Sequence, residues 1–364
     1  MTKLEELATL GQSIWYDFIR RDILLNGELQ RLIDMGLRGM TSNPSIFEKA
    51  INGSDIYDED FNKLVAEGKT PKEIYEEIAL KDISIAADLF MPVFENTHRI
   101  DGYVSIEVDP NLAHDTEGTI AEGKRLFQKL NKPNVMIKVP ATKEGLPAVT
   151  ELIASGINVN VTLIFNIDNY LEVVQSFKDG ITKLDERKGT LCCVESVASF
   201  FVSRLDTYVD KILDEKGRPE LKGKTAIAYA KTVYQEFLKI FSGDEWQKLI
   251  DKGARTQQLL WASTSTKNPD YPDTMYIDNL IGHNTINTVP PATLEKFLDH
   301  GVVRKTIYEN LEESKEHLRK IAEAGIDLNE VTNQLQVDGV KAFADSYQKI
   351  LESIQAKIEQ TKVS

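Results

Sequence analysis

Short stretches in which apolar residues recur at every second position alternate with longer stretches of helical spacing, from the start of the chain to about residue 290. The two-residue period predicts strands at 13–18, 36–43, 102–109, 134–140, 157–165, 191–199, 254–263 and 276–288. Amphipathic helical spacing falls between them, for example at 115–130, 146–154, 167–186 and 203–215. Eight strands, each followed by helical sequence, predict a (β/α)8 TIM barrel with extra helices rather than an open doubly wound sheet. The 364 residues exceed a minimal barrel of roughly 250. The surplus lies at 48–100, between the sixth and seventh strands, and beyond residue 300.

From Pro291 onward only helical patterns follow. The spacing of Val340, Phe343, Tyr347, Leu351 and Ile354 predicts a stripe facing the core, not a site. No linker rich in Pro, Gly or Ser interrupts the chain. The expectation is therefore one domain over 1–364, with 291–364 a helical C-terminal extension packed on the barrel. Such a tail can cover the barrel or form an interface, so monomer and homodimer both stay open.

One polar residue breaks this patterning most sharply. In NVMIKVPAT (134–142), Val135, Ile137 and Val139 share one face of a strand, while Met136 and Lys138 share the other. Pro140 follows, so Lys138 stands at the strand's C-terminal end. Burying an ammonium costs several kcal/mol unless it is paired or loses its proton. Lys138 is thus either an ion-paired structural lysine or an amine nucleophile. Other strands add polar groups on one face: Ser13, Trp15 and Asp17; Ser105, Glu107 and Asp109; Asn158, Asn160 and Thr162. In a barrel such faces converge at the C-terminal mouth, where active sites are built. Each residue also has a structural alternative: Glu107 as ion-pair partner of Lys138, Asp17 as a helix cap, Asn160 and Thr162 as hydrogen-bonded core.

Together they support imine formation. The amine attacks a ketone, and Glu107 and Thr162 suit a carboxylate–water–hydroxyl relay that removes water from the carbinolamine. Asp17 suits the second task, taking the hydroxyl proton that starts carbon–carbon cleavage. The protonated imine is then the electron sink, with no cofactor. The five histidines, at 98, 114, 283, 300 and 317, form no ligand pair at helical spacing, and no nucleotide-binding glycine motif occurs. A metal-dependent aldolase is accordingly disfavoured. The net charge of −14 argues against nucleic acid or an anionic membrane as partner, though not against a small anion held by local cations. No run approaches the roughly 20 apolar residues of a membrane span, and MTKLEELATLGQSIW does not read as a secretory signal. The only cysteines, Cys192 and Cys193, are adjacent and placed on a strand as inert core; the expected compartment is a reducing cytoplasm.

The motifs SNPSIF, SIEVDP, VMIKVPAT, INVNVTLIF and SFFVSRLD, in this order, closely resemble the transaldolase family, Schiff-base enzymes of the pentose phosphate pathway built on a (β/α)8 barrel. The resemblance runs from about residue 10 to about 290, and the length and STKNP stretch are similar to the longer bacterial branch. It implies Lys138 as the Schiff-base lysine, Asp17 as acid/base, and Glu107 and Thr162 as holders of the catalytic water. It further implies Asn43 and Asn160 on the dihydroxyacetone hydroxyls, Ser199 in the same pocket and Arg204 on the sugar phosphate. An arginine just past a barrel strand is itself a fair bidentate phosphate ligand, the alternative being a helix-surface ion pair. Many family members carry a second arginine after the seventh strand; here WASTSTKN offers Ser263 and Lys267, and a lysine supplies charge without the fork. Phe201 falls where related fructose-6-phosphate aldolases carry a tyrosine that favours net release of the cleaved unit; a phenylalanine there favours transfer. The implied activity moves a dihydroxyacetone unit from sedoheptulose 7-phosphate to glyceraldehyde 3-phosphate, giving erythrose 4-phosphate and fructose 6-phosphate. The rivals are a fructose-6-phosphate aldolase-like lyase and a non-catalytic sugar-phosphate-binding barrel.

Overall fold

Eight strands pair in parallel in chain order, and the eighth returns to the first to close a barrel. They are β1 (Gln12–Asp17), β2 (Gly39–Thr41), β3 (Tyr103–Glu107), β4 (Val135–Pro140), β5 (Val159–Ile164), β6 (Ser196–Phe201), β7 (Gln258–Ala262) and β8 (Thr285–Val289). The computed structural model describes residues 1–363, with side chains described through residue 360. The outward faces of the strands pack on helices such as Thr116–Leu130, Gly145–Ala154, Ile167–Glu186 and Ser203–Glu215, so most strand residues are buried on both sides.

The second and seventh strands are shorter than predicted, and two others begin well past their predicted starts. The sixth begins at Ser196, and Leu191–Cys193 is instead a short 3-10 turn. Cys192 and Cys193 are consequently exposed rather than core, as free thiols. An apolar run such as LCCV has no period to separate a strand from a buried turn. In the predicted 276–288 strand, Met275–Asp278 forms a helical turn whose Tyr276 hydroxyl donates to Asp206 (2.8 Å), and β8 starts only at Thr285.

The barrel's N-terminal end is filled by large and polar groups. Trp15 points inward and is fully buried, in space that exists because Gly39 on β2 has no side chain; a Cβ there would stand 2.6 Å from the indole. Asp101 accepts from Ser13 Oγ (2.7 Å) and Trp15 Nε1 (3.3 Å), and Arg255 pairs with buried Glu195 at 2.8 Å. Ser13 and Trp15 thus share a face with Asp17 but belong to the floor of the barrel, since each pair of residues climbs about 6.6 Å along a strand.

The 48–100 surplus becomes three helices, the last being Pro71–Asn96, capped by Thr70 and started by Pro71. Arg21 pins them to the barrel. It is almost fully buried, pairs with Asp82 on that helix and with Asp60 at 2.6 Å, and stacks over Tyr57 at 5.1 Å. The C-terminal helix, Leu328–Val363, runs across the C-terminal side of the barrel and contacts helices Pro44–Asn52, Pro71–Asn96 and Ser203–Glu215 and strand β5. None of the described helices is long and apolar enough to cross a membrane.

Removing one partner of a buried ion pair strands the other charge away from water. Asp82→Ala is therefore expected to destabilise the protein by about 3–5 kcal/mol, read as a lowered urea midpoint. An unchanged midpoint would show that Asp60 alone satisfies Arg21.

Candidate active site

Strand register sets the heart of the site. Glu107 on β3 stands beside Lys138 on β4, and Lys138 beside Asn160 on β5, so three polar side chains lie level across adjacent strands. Lys138 Nζ is 3.6 Å from Glu107 Oε2 and donates to the backbone carbonyl of Ser42 at 3.1 Å; both side chains are only 6% exposed. Burial pushes the Glu107 carboxyl up to about 7, against the pull of the neighbouring Lys138 ammonium. Thr162 Oγ1 is buried and has no hydrogen-bond partner among the described residues, and Glu107 Oε2 has none closer than the lysine. Buried polar atoms are seldom left so, which makes these two suited to hold a water between them.

A cavity of about 500 Å³ opens at the C-terminal mouth. Asp17, Asn43, Lys138, Thr162, Ser199, Phe201, Arg204, Ser263 and Lys267 all line it. Glu107 and Asn160 do not; they stand in the wall behind Lys138. Asn160 is there fully buried, donating to Ser105 Oγ (3.0 Å) and accepting from Ser199 Oγ (2.6 Å). Asn43 reaches the cavity from the first turn of Pro44–Asn52, where its side chain caps Ile46 N at 3.0 Å and Pro44 opens the helix.

Asp17 accepts from Thr41 Oγ1 at 2.9 Å, and Thr41 in turn meets Thr288 at 2.8 Å. Burial raises the Asp17 carboxyl, while Lys138, the Thr41 hydroxyl, Lys267 and Arg204 hold it down. On balance burial wins, and Asp17 faces the cavity, bound to Thr41, rather than capping a helix. Arg204, at the start of helix Ser203–Glu215, lays its guanidinium over the Phe201 ring at 5.2 Å, and Phe201 packs on Phe165 at 5.1 Å. No salt bridge joins Arg204 to a carboxylate among the described residues; burial lowers its proton affinity, with Asp17 pulling the other way. Lys267 joins it from the exposed rim, lowered by partial burial and by Arg204; its amine donates to Ser265 at 2.6 Å. Ser263 is tied to Ser203 at 3.0 Å between them. One end of the cavity is thus cationic on an acidic protein.

Some lining residues escaped sequence reasoning. Thr41 was legible, since it precedes SNP at the end of a strand. Lys49, which adds a cation to the same end, looks like one more surface lysine of an amphipathic helix. Phe343 corrects the prediction of a purely core-facing stripe: it lines the cavity, with its ring 5.6 Å from Lys138 Nζ. Tyr347 and Ile354 of the same stripe are buried as predicted.

Residues 14–354 match the family model described as Transaldolase/Fructose-6-phosphate aldolase. The chain is similar to a protein named Transaldolase from Trichodesmium erythraeum, 45% identical over 370 residues, covering 98% of this chain and 97% of that protein. A Transaldolase 2 from Nostoc sp. is 43% identical, with 98% and 97% covered. A Transaldolase from Neisseria gonorrhoeae is 42% identical, with 96% and 99% covered.

A carboxyl whose proton affinity is raised on folding binds protons more tightly in the folded state, so its contribution to stability declines as pH rises from its ordinary value through about 7. Melting temperature is expected to fall less steeply between about pH 5 and pH 8 in Glu107→Gln than in the parent protein. Parallel profiles would place Glu107 at an ordinary proton affinity.

Proposed function

The chain belongs to the transaldolase/fructose-6-phosphate aldolase family, and from that premise we propose that it is a transaldolase working through an imine on Lys138. The observation that carries this is the buried Lys138–Glu107 pair at the wall of a cavity whose opposite groups are a carboxylate and a cationic end. In this reading the sugar phosphate enters with its phosphate between Arg204 and Lys267, the arginine providing the fork and the lysine point charge. Ser263 lies between them. The ketose carbonyl then lies toward Lys138.

Lys138 attacks that carbonyl, and the carbinolamine loses water as Glu107, with Thr162 holding the relaying water, delivers and recovers protons. A carboxyl that titrates near neutrality serves both directions. Asp17 takes the proton from the hydroxyl beside the breaking bond. The carbon–carbon pair collapses into the protonated imine, the aldehyde product departs and an enamine stays on Lys138. An incoming aldehyde is attacked by the enamine carbon, and Asp17 returns the proton to the new hydroxyl. Asn43 and Ser199 orient the hydroxyls of the three-carbon unit, with Asn160 in the wall fixing Ser199 through their 2.6 Å hydrogen bond.

Within this reading the donor is sedoheptulose 7-phosphate and the acceptor glyceraldehyde 3-phosphate. Phe201 favours transfer over the lyase alternative, because its ring carries no hydroxyl to protonate the enamine through water. Residues 1–364 act as one barrel domain with 291–364 packed on it, a view supported by the contacts of the C-terminal helix with strand β5 and three barrel-side helices. The two free, exposed thiols of Cys192 and Cys193 support a reducing cytoplasm as the compartment.

Borohydride reduction in the presence of fructose 6-phosphate is expected to leave a dihydroxyacetone-sized adduct on the Lys138 peptide, absent in Lys138→Met. A folded protein that yields no adduct would favour the non-catalytic binding barrel instead. Phe201→Tyr is expected to raise free dihydroxyacetone from fructose 6-phosphate on the order of a hundredfold, the lower end of what one proton-transfer group contributes. No rise would remove the basis for Phe201 as the residue that favours transfer.

A further inference from the structure

The C-terminal helix Leu328–Val363 turns one face to the barrel mouth, and the residues on that face follow helical spacing: Gln336, Gly339, Phe343 and Tyr347. Gln336 Nε2 stands within hydrogen-bonding distance of the carbonyl oxygens of Ala141 (3.0 Å) and Leu163 (3.0 Å) and of Asn169 Oδ1 (2.9 Å). These carbonyls lie where β4 and β5 end. Leu163 itself holds a φ of 61°, at the register shift that follows Thr162, a costly backbone for a branched residue. Gln336 therefore ties the helix to the strained strand end that carries Thr162. One turn later Gly339 lets the helix approach closely: a Cβ there would come within 3.0 Å of Leu163 and 3.6 Å of Arg204. One further turn on, Phe343 lies 5.6 Å from Lys138 Nζ and is only 5% exposed. Ser346 then binds Ser45 at 2.8 Å, fastening the helix to the element that carries Asn43.

We propose that residues 336–347 roof the reaction chamber, and that Phe343 keeps water off the covalent lysine intermediate so that the bound three-carbon unit waits for an aldehyde acceptor. This rests on the imine reading above. Two fates compete for the enamine. In transfer, its carbon attacks the acceptor carbonyl carbon, the acceptor oxygen takes a proton, and the resulting iminium is hydrolysed to release the longer ketose. In premature release, the same carbon takes a proton to give the iminium of dihydroxyacetone. Water then adds to the iminium carbon, the C–N bond breaks, the oxygen stays with dihydroxyacetone, and Lys138 is freed as the amine. Both fates end in hydrolysis, so the roof acts by limiting water while the acceptor is awaited. The ring lies over the lysine nitrogen at 5.6 Å, in the space that water would need to reach the adduct. Removing the ring opens space for on the order of three waters beside Lys138.

Phe343 is a positioning residue, and a purely structural role predicts equal losses of release and transfer. The test measures free dihydroxyacetone and transferred product from fructose 6-phosphate, with erythrose 4-phosphate as acceptor, in the parent protein, Phe343→Ala and Phe343→Leu. The release-to-transfer ratio is expected to rise on the order of fivefold in Phe343→Ala and to stay within about twofold of the parent in Phe343→Leu, whose side chain still fills the roof. Borohydride is expected to trap an adduct on Lys138 in all three. An unchanged ratio in Phe343→Ala, or losses of release and transfer in equal proportion, would overturn the proposal. If Phe343→Ala does not fold, Phe343→Val carries the same test with a smaller expected rise. Failure to trap any adduct in the parent protein would instead count against the imine reading itself, which keeps the two conclusions separable.

Discussion

An ammonium and a carboxylate are removed from water together at the C-terminal ends of two adjacent strands, and most of the site is arranged around them. The Lys138–Glu107 pair is 3.6 Å apart, beyond an ordinary hydrogen bond, with one further contact from the amine to the carbonyl of Ser42. A pair so loosely satisfied recovers little of its desolvation cost. A barrel optimised only for stability would replace it with apolar side chains of similar volume. Its retention fits a site that needs an amine and a proton carrier side by side.

The neighbouring elements answer that cost in electrostatic terms. Asp17 faces Lys138 across the cavity, held by Thr41, while Arg204 and Lys267 stand at the other end without a carboxylate of their own. Neighbouring cations that pair with no carboxylate make a ready site for an anion, and the overall charge of −14 does not prevent it because the cavity's own residues dominate at short range. Of the two cations only Arg204 has a planar fork, and its stacking on Phe201 fixes the direction in which that fork points. Phe201 thereby serves as platform for the guanidinium while its ring also lines the cavity.

The C-terminal helix completes the chamber from outside the barrel's repeating units. Its hydrogen bonds go to the strand-end carbonyls of Leu163 and of Ala141, the latter shared with Asn169 of a barrel helix, and its glycine and phenylalanine fit against Arg204 and Lys138. The strained backbone at Leu163 is stabilised in part by this helix, which links the placement of Thr162 to an element more than 160 residues further along the chain.

Much of this was legible before any coordinates. Alternation in β1, β3, β4 and β5 determined which side chains share a face, and a barrel brings those faces to one mouth, so Lys138, Asp17, Glu107 and Thr162 could be grouped from local pattern alone. The helices at 167–186 and 203–215 were equally clear, because apolar spacing is strong over several turns. What the pattern left undecided were short apolar runs, where period carries little information: the turn at Leu191–Cys193, which exposes both thiols, and the helical turn at Met275–Asp278. It also left undecided height along a strand, which separates Asp17 at the mouth from Ser13 and Trp15 on the floor. Above all, an amphipathic stripe states that one face is buried but not against what. Phe343 and Tyr347 look alike in sequence, yet Tyr347 packs beneath the helix and Phe343 over the Lys138 amine, a distinction made only when a distant helix crosses the barrel.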